Sequence, residues 1–500
     1  MINATAVSVG LARLPAHWLR QFAPQSVGVP QERTTYSGLK GWGRTRFIIR
    51  RGRLLYAPTP PNGCVLRRTP ILAWALLEAL ERHPTLPDVS VAFNCEATAQ
   101  ITEHPSTPSA FRLSVLKDAR VRTPALTGRD KPTYWYPDGP QPQGNYEKAT
   151  TATSKDGMAA LVFSYTTGHT FSDVPLPDAT FYGLPYARIP PWSQWLESLD
   201  DGRGGVSWAS KLDKMLWVGT TGVGNGKLGF SSHPLRARFA RCGPQTFGER
   251  LVVHSVAKES VDSLAWKQPP CPASAPKVGA GACVDELPRS WITLREQCKH
   301  KIIVHLPGVS DWLEHFKHQL SCGSLNIYIT EERDASRRDL RKEGEVRPPL
   351  VPPLFEHFDW WAPLLQAGVH YVHIQIPKRQ PGQVCAALQA ALAELDASPG
   401  RAQCIAERGQ QLARSLTMDK VHDYLANVLR GAAAVQRPEV VRRHSDAMAT
   451  SPSVVTKRNL LRHVSESTRP WIEHLFLPWH NASGPRGASV VPKHPFSFKR

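Results

Sequence analysis

No stretch of 18 consecutive apolar residues occurs in the 500-residue chain, so no membrane-spanning helix is expected. Residues 1–21 show no charged segment leading into an apolar one, and no signal peptide is evident there. The nine cysteines (64, 95, 242, 271, 283, 298, 322, 385 and 404) form no C-x-x-C pair and no metal-ligand spacing. A few disulfides with one thiol left over, or a set of buried free thiols, both remain open. No G-x-S-x-G surrounds Ser164, Ser172 or Ser310, which removes a nucleophile elbow. His370 and His373, three apart on an expected strand, would point to opposite faces, so no metal site is expected there. Neither an internal repeat nor a recognised nucleic-acid module is present.

What is present is a chain able to bury large cores, at 41% hydrophobic with 15 Trp, and long enough for two or three domains. Its 44 prolines concentrate in connecting segments. The net charge of +19, from 61 basic against 42 acidic residues, reads as a solvated basic surface or as a surface for a polyanionic partner. Asn3 and Asn481 each begin a glycosylation acceptor triplet.

R-T-R-F-I-I-R-R-G-R-L-L-Y (44–56) predicts two strands about a turn at Gly52. Pro70 opens a helix over 71–82, and L-P-D-V-S-V-A-F-N-C-E (86–96) predicts a buried strand with a polar end. Residues 105–154 read as an irregular insertion, and order returns at 161–166. Residues 383–431 are strongly helical, and 437–500 read as a basic, proline-punctuated tail with no clear core.

Two apolar runs, 299–308 and 322–329, flank a helical interval at 311–320 and predict a βαβ unit; A-G-V-H-Y-V-H (367–373) supplies a third run. Such sheets take ligands beyond the carboxyl ends of their strands, where Gly308 and the loop after Ile329 fall. Upstream, a strand at 215–218 leads into a loop in which Gly224, Gly226 and Gly229 spell G-x-G-x-x-G. Backbone amides there can approach a diphosphate. It is not a P-loop, because Thr221 stands at the first glycine position and Leu228 follows Lys227. In D-V-P-L-P-D (173–178), two prolines stiffen an extended segment flanked by Asp173 and Asp178. Taken alone, that pattern reads as a rigid turn with solvated acids. Glu96, at the polar end of its strand, is placed as a general base would be.

In this order the motifs resemble glycosyltransferase family 90, which includes Rumi-like protein O-glucosyltransferases and capsule-associated xylosyltransferases. The likeness is carried by the opening at 46–56, L-P-D at 86–88, D-V-P-L-P-D with Phe181, Gly219-Thr220, C-G-S-L at 322–325 and G-V-H-Y at 368–371. It implies an α/β, GT-B-like fold of two facing Rossmann-like lobes, with a helical C-terminal segment and a disordered basic tail. The expected divisions are a leader (1–33), an acceptor-side lobe (34–207), a nucleotide-sugar lobe (208–383), closing helices (384–431) and the tail (432–500).

The implied reaction is inverting, metal-independent transfer of glucose or xylose from a UDP-sugar to a hydroxyl of a protein or glycan. The UDP-sugar would be substrate, no cofactor would be needed, and the setting would be the lumen of the endoplasmic reticulum or Golgi. Glu96 would be the catalytic base, with Ala97 where relatives carry Asp. Gly219, Thr220, Lys227, Gly308, Ser310, His315, Gly323 and Ser324 would bind donor, while Asp173, Asp178 and Phe181 would wall the acceptor side of the cleft. Val218 replaces a family Arg, whose charge Lys227, Arg236 or Arg238 could supply, and His315 stands nearest a second missing Arg. A catalytically silent member that binds sugar or protein, and a basic polyanion-binding protein, are the alternatives.

Overall fold

The computed structural model describes residues 11–13, 27–28, 45–57, 68–94, 159–160, 162–168, 174–184, 189–200, 206–220, 234–256, 277–278, 282–283, 292–307, 315–331, 357–377, 380–436, 438–447, 453–464, 469, 472–477 and 480. The expected insertion at 105–154, and Glu96, Asp173, Lys227, Gly308 and Ser310, lie outside them.

Thr45–Arg50 (β1) and Arg53–Ala57 (β2) pair antiparallel about Arg51 and Gly52, both at positive φ, as a two-residue hairpin requires. Val89–Asn94 (β3) pairs antiparallel with β1, and Val162–Ser164 (β4) and Val174–Pro175 (β5) extend the sheet in parallel. This first sheet is therefore mixed, its antiparallel part beginning with the hairpin that 44–56 predicted. The tight hairpin permits only antiparallel neighbours at that edge.

The second sheet comprises Leu212–Thr220 (β6), Leu251–Val256 (β7), His300–His305 (β8), Leu325–Glu331 (β9) and Val372–Ile376 (β10). It runs in the order β7-β6-β8-β9-β10, and every pairing is parallel. The predicted βαβ unit is β8, a short helix and β9. The third apolar run is displaced: its strand starts at Val372, because His370 and Tyr371 close a turn through His370 N–H to Gln366 O (2.9 Å) and Gly368 N–H to Tyr371 O (2.8 Å).

The helices are Arg68–Arg82 (α1), Trp192–Asp200 (α2), Pro234–Phe247 (α3), Phe316–Ser321 (α4), Val384–Asp396 (α5), Pro399–Arg414 (α6), Met418–Val435 (α7) and Pro438–Ala447 (α8). Strand alternation gives the second sheet two different faces. Met215, Trp217, Ile302, Val304, Leu325 and Ile327 pack with residues of α3, α5 and α6. Tyr328 on the opposite face joins Phe316, Trp361 and Tyr371 in a core that continues through Trp192 and Phe181 to the first sheet. The two sheets thus share one apolar interior.

The stretch after 436 is not the coreless tail expected. Within it Ser453–Val455 (β11) adds to the first sheet beside β2, and Leu460, Val464, Ile472 and Phe476 are buried in the shared core. Its apolar residues come singly or in pairs among basic ones, so neither helix nor strand period registers, yet tertiary contacts recruit them. No helix among the described residues is long and apolar enough to cross a membrane.

Two disulfides occur among the described residues, and Cys404 is free. Cys298–Cys322 joins the entry of β8 to the end of α4, and Cys242–Cys385 joins α3 to α5 across 143 residues of sequence. Closing so long a loop restricts the unfolded chain. Cys385→Ser is expected to lower unfolding stability by about 2–5 kcal/mol in denaturant titration. The same variant in reducing buffer should differ little from reduced wild type.

Candidate active site

The parallel sheet determines where a ligand can sit. From β6 the chain crosses through α3 to β7 on one side, whereas from β8 it crosses through α4 to β9 on the other. The connections diverge between β6 and β8, and the carboxyl ends of those strands frame the crevice at this switch point. Gly219 and Thr220 close β6, and His305, Leu306 and Pro307 close β8. A Cβ on Gly219 would stand 2.9 Å from the ring of buried Trp217, so the ring folded over the strand end demands glycine.

Arg236, in the first turn of α3, reaches the same place. Its Nε donates to Pro307 O (2.6 Å) and its Nη2 to Leu306 O (3.1 Å). Buried Leu235 and Phe239 hold α3 on the sheet, with the Phe239 and Trp217 ring centroids 5.7 Å apart. Burial lowers the Arg236 pKa, partly opposed by nearby Tyr328. No carboxylate among the described residues pairs with it. Arg238, one of its rivals from the sequence, is exposed. His315 precedes α4, on the side of the sheet where β8 ends.

Gly323 and Ser324 do not join this group. They follow α4 and precede β9, so they occupy the amino end of the sheet, the thickness of the sheet away from the crevice. A helix linking two parallel strands must return the chain to the start of the next strand. Gly323 turns the chain there at φ 68°, and buried Ser324 donates to His300 O (2.7 Å). They thus stand apart from the other residues expected to bind donor.

Asp178 and Phe181 also differ from expectation. Both are wholly buried where the sheets meet, neither solvated nor on an open wall. Asp178 caps a 3-10 turn, Ala179–Phe181, by accepting from Thr180 N–H (2.7 Å), and its other oxygen meets Lys317 Nζ at 2.8 Å. Lys317, on α4, also donates to Thr180 Oγ1 and lies 4.1 Å from the Phe181 ring centre. Asp359 accepts from Trp360 N–H (2.9 Å) and Trp361 Nε1 (3.0 Å). Burial and the neighbouring Asp178 charge push the Asp359 pKa well up, which favours a protonated carboxyl as hydrogen-bond donor to Asp178. Burial alone would raise Asp178 as well, but the Lys317 charge and these hydrogen bonds bring it below its ordinary value. Two carboxyl groups, one proton and one ammonium thus form a closed set. Tyr424 completes the junction by donating to Pro175 O (2.5 Å) while stacking on Trp360.

Lys317 and Asp359 were outside the expected site set, whereas Arg236 was one of three cations offered for the missing charge. Lys317 and Asp359 stand in F-K-H and F-D-W-W, short polar interruptions among aromatics, which are the detectable trace of buried charge. His305, ending β8, was missed too; it is buried and bonded to Asn326 (2.8 Å), and burial lowers its pKa to about 4. No group of three His, Cys, Asp or Glu side chains suited to a metal occurs among the described residues.

An all-parallel sheet flanked by helices, with a cation at its switch point, is compatible with an α/β glycosyltransferase fold. The model of glycosyl transferase family 90 matches this chain over residues 140–234 and 353–469. These segments hold D-V-P-L-P-D, Gly219-Thr220 and G-V-H-Y, and the matched family is the one that the resemblance implied. Residues 235–352, with the βαβ unit, lie outside the match. No curated protein matches the chain.

Lys317→Ala would leave Asp178 charged and unpaired in the interior, and is expected to cost about 3–5 kcal/mol in chemical denaturation. Acid should act through histidines. His305, His370, His422 and His480 have pKa values lowered to about 4, chiefly by burial, from an ordinary 6.5. Below about pH 6.5 the unfolded chain takes up protons that the folded chain refuses, so their stabilisation is complete above that pH and falls toward pH 4. Melting temperature should therefore drop steadily across this window, and His305→Asn should reduce the slope.

Proposed function

We propose that this protein is an inverting, metal-independent glycosyltransferase of GT-B type that moves glucose or xylose from a UDP-sugar to a hydroxyl of a protein or glycan. The observation that carries the reading is the switch point between β6 and β8, with Gly219, Thr220 and the Leu306–Pro307 carbonyls at its rim, in a chain that matches family 90. Parallel sheets bind phosphate-bearing ligands at that position.

In this reading Glu96, two residues beyond the end of β3, takes the proton of the acceptor hydroxyl. The hydroxyl oxygen bonds to the anomeric carbon as the bond from that carbon to the diphosphate breaks, and the electron pair leaves with UDP. Lys227, Ser310 and the backbone amides of the 219–229 loop hold the growing charge on the leaving group, which is where electrostatic help counts most. Asp173 would face the acceptor. The two disulfides favour an oxidising compartment, in keeping with the lumen of the secretory pathway. A second reading, a silent family member, draws on Ala97 and Val218, which stand where relatives carry charge.

Calorimetry with UDP-glucose, UDP-xylose and UDP-galactose, paired with transfer assays, tests the proposal. Binding of one donor with turnover is expected, and Glu96→Gln should retain donor binding while losing at least about a hundredfold in kcat. Donor binding without turnover would favour the silent member, and undiminished turnover in Glu96→Gln would remove that residue from the chemistry.

A further inference from the structure

We propose that a cavity at the amino end of the second sheet is a binding site for neutral glycans, separate from the switch-point crevice and independent of what that crevice binds.

The cavity holds about 450 Å³, within the range of about 300–1,000 Å³ typical of small-ligand pockets. Three segments build it. Its floor is Cys322 and Gly323, where the chain turns into β9, and the Cys298–Cys322 disulfide pins that turn to the segment leading into β8. One wall is the 3-10 turn Trp208–Ser210 ahead of β6. The other is α6, which contributes Gln403, Glu407 and Gln410. Strands β6 and β9 both start here, so the cavity lies at the opposite end of the sheet from Gly219 and Thr220.

The polar side chains are arranged to meet hydroxyl groups. At spacings of four and three residues, Gln403, Glu407 and Gln410 share one face of α6. Gln403 Nε2 donates to Glu407 Oε1 (2.8 Å), which leaves Glu407 Oε2 as a charged acceptor. Gln410 Nε2 donates to Ser321 O (3.1 Å), which leaves its Oε1 as a neutral one. A Cβ on Gly323 would stand 2.9 Å from the Gln410 amide, so glycine is what lets this side chain lie across the floor. A sugar hydroxyl both gives and takes hydrogen bonds, and side-chain amides beside a carboxylate answer both needs. Half-buried Trp208 adds a rigid apolar surface, which suits the C–H face of a pyranose ring.

Charge decides among occupants. Glu407 is the charged residue of the lining, and no cation among the described residues pairs with it, so a phosphate or sulfate would be repelled. A cationic peptide is disfavoured at Trp208, because Lys301 Nζ already lies 6.0 Å from its ring centre. A neutral sugar meets neither obstacle.

The test is calorimetric titration of the full-length protein with cellotetraose, xylotetraose, chitotetraose and tetralysine, with and without saturating UDP. Binding of at least one tetrasaccharide is expected, unchanged by UDP. Trp208→Ala should weaken it at least about tenfold, and Glu407→Ala at least about fivefold. Melting curves would select folded variants, and exposed Glu407 carries the test if Trp208→Ala does not fold. Absence of binding to every tetrasaccharide would overturn the proposal. So would equal affinity in wild type and the folded variants, or displacement of the sugar by UDP, which would place it in the crevice. Glu407-dependent binding of tetralysine without sugar binding would give the cavity to a cationic peptide instead. Sugar binding through Trp208 and Glu407 in a protein that binds no UDP would support this site while overturning the donor reading.

Discussion

The architecture depends on the buried contact between Asp178 and Lys317. One partner comes from the extended segment beyond the first sheet and the other from the short helix between β8 and β9. Removing two charges from water is costly, and the cost is offset here because every oxygen and the ammonium have hydrogen-bond partners. Asp359, whose pKa burial and the Asp178 charge push up, supplies the final donor. The proline-stiffened segment presents Asp178 with little freedom to lose, while Trp360, Phe181 and Tyr424 exclude water around the pair. Charge pairing of this kind demands one geometry, which an apolar contact would not.

That geometry bears on the crevice. The helix carrying Lys317 is the one that follows β8 in the chain, so the contact that joins the two sheets also anchors the crossover between β8 and β9. On the other side, Trp217 and Phe239 seat α3 and thereby bring Arg236 to the Leu306 and Pro307 carbonyls. The rim of the crevice thus rests on two independent anchors, one polar and buried, the other aromatic. Cys242–Cys385 reinforces the second by tying α3 to α5.

Much of the fold could be read from residue patterns. Arg51-Gly52 marked the hairpin, the apolar runs at 299–308 and 322–329 marked parallel strands, and the helices after 383 followed their periodicity closely. The ordered segments after 436 escaped because their apolar residues are too few to make a period. Gly323 and Ser324 sit at the opposite end of the sheet from Gly219 and Thr220, because a motif records residue order, whereas a crossover helix reverses position. Asp178 looked solvent-exposed because nothing near it in sequence suggests Lys317, 139 residues away.

Local chemistry in the sequence was thus enough to mark most of the strands and helices and the likeness to the family whose model the chain matches. Backbone preference and hydrophobic period act over a few residues and leave a local trace. Only the tertiary structure decided which charged groups are buried together, which end of the sheet each motif occupies, and that Arg236 is the guanidinium at the rim. Those outcomes depend on distance and burial between segments far apart in the chain.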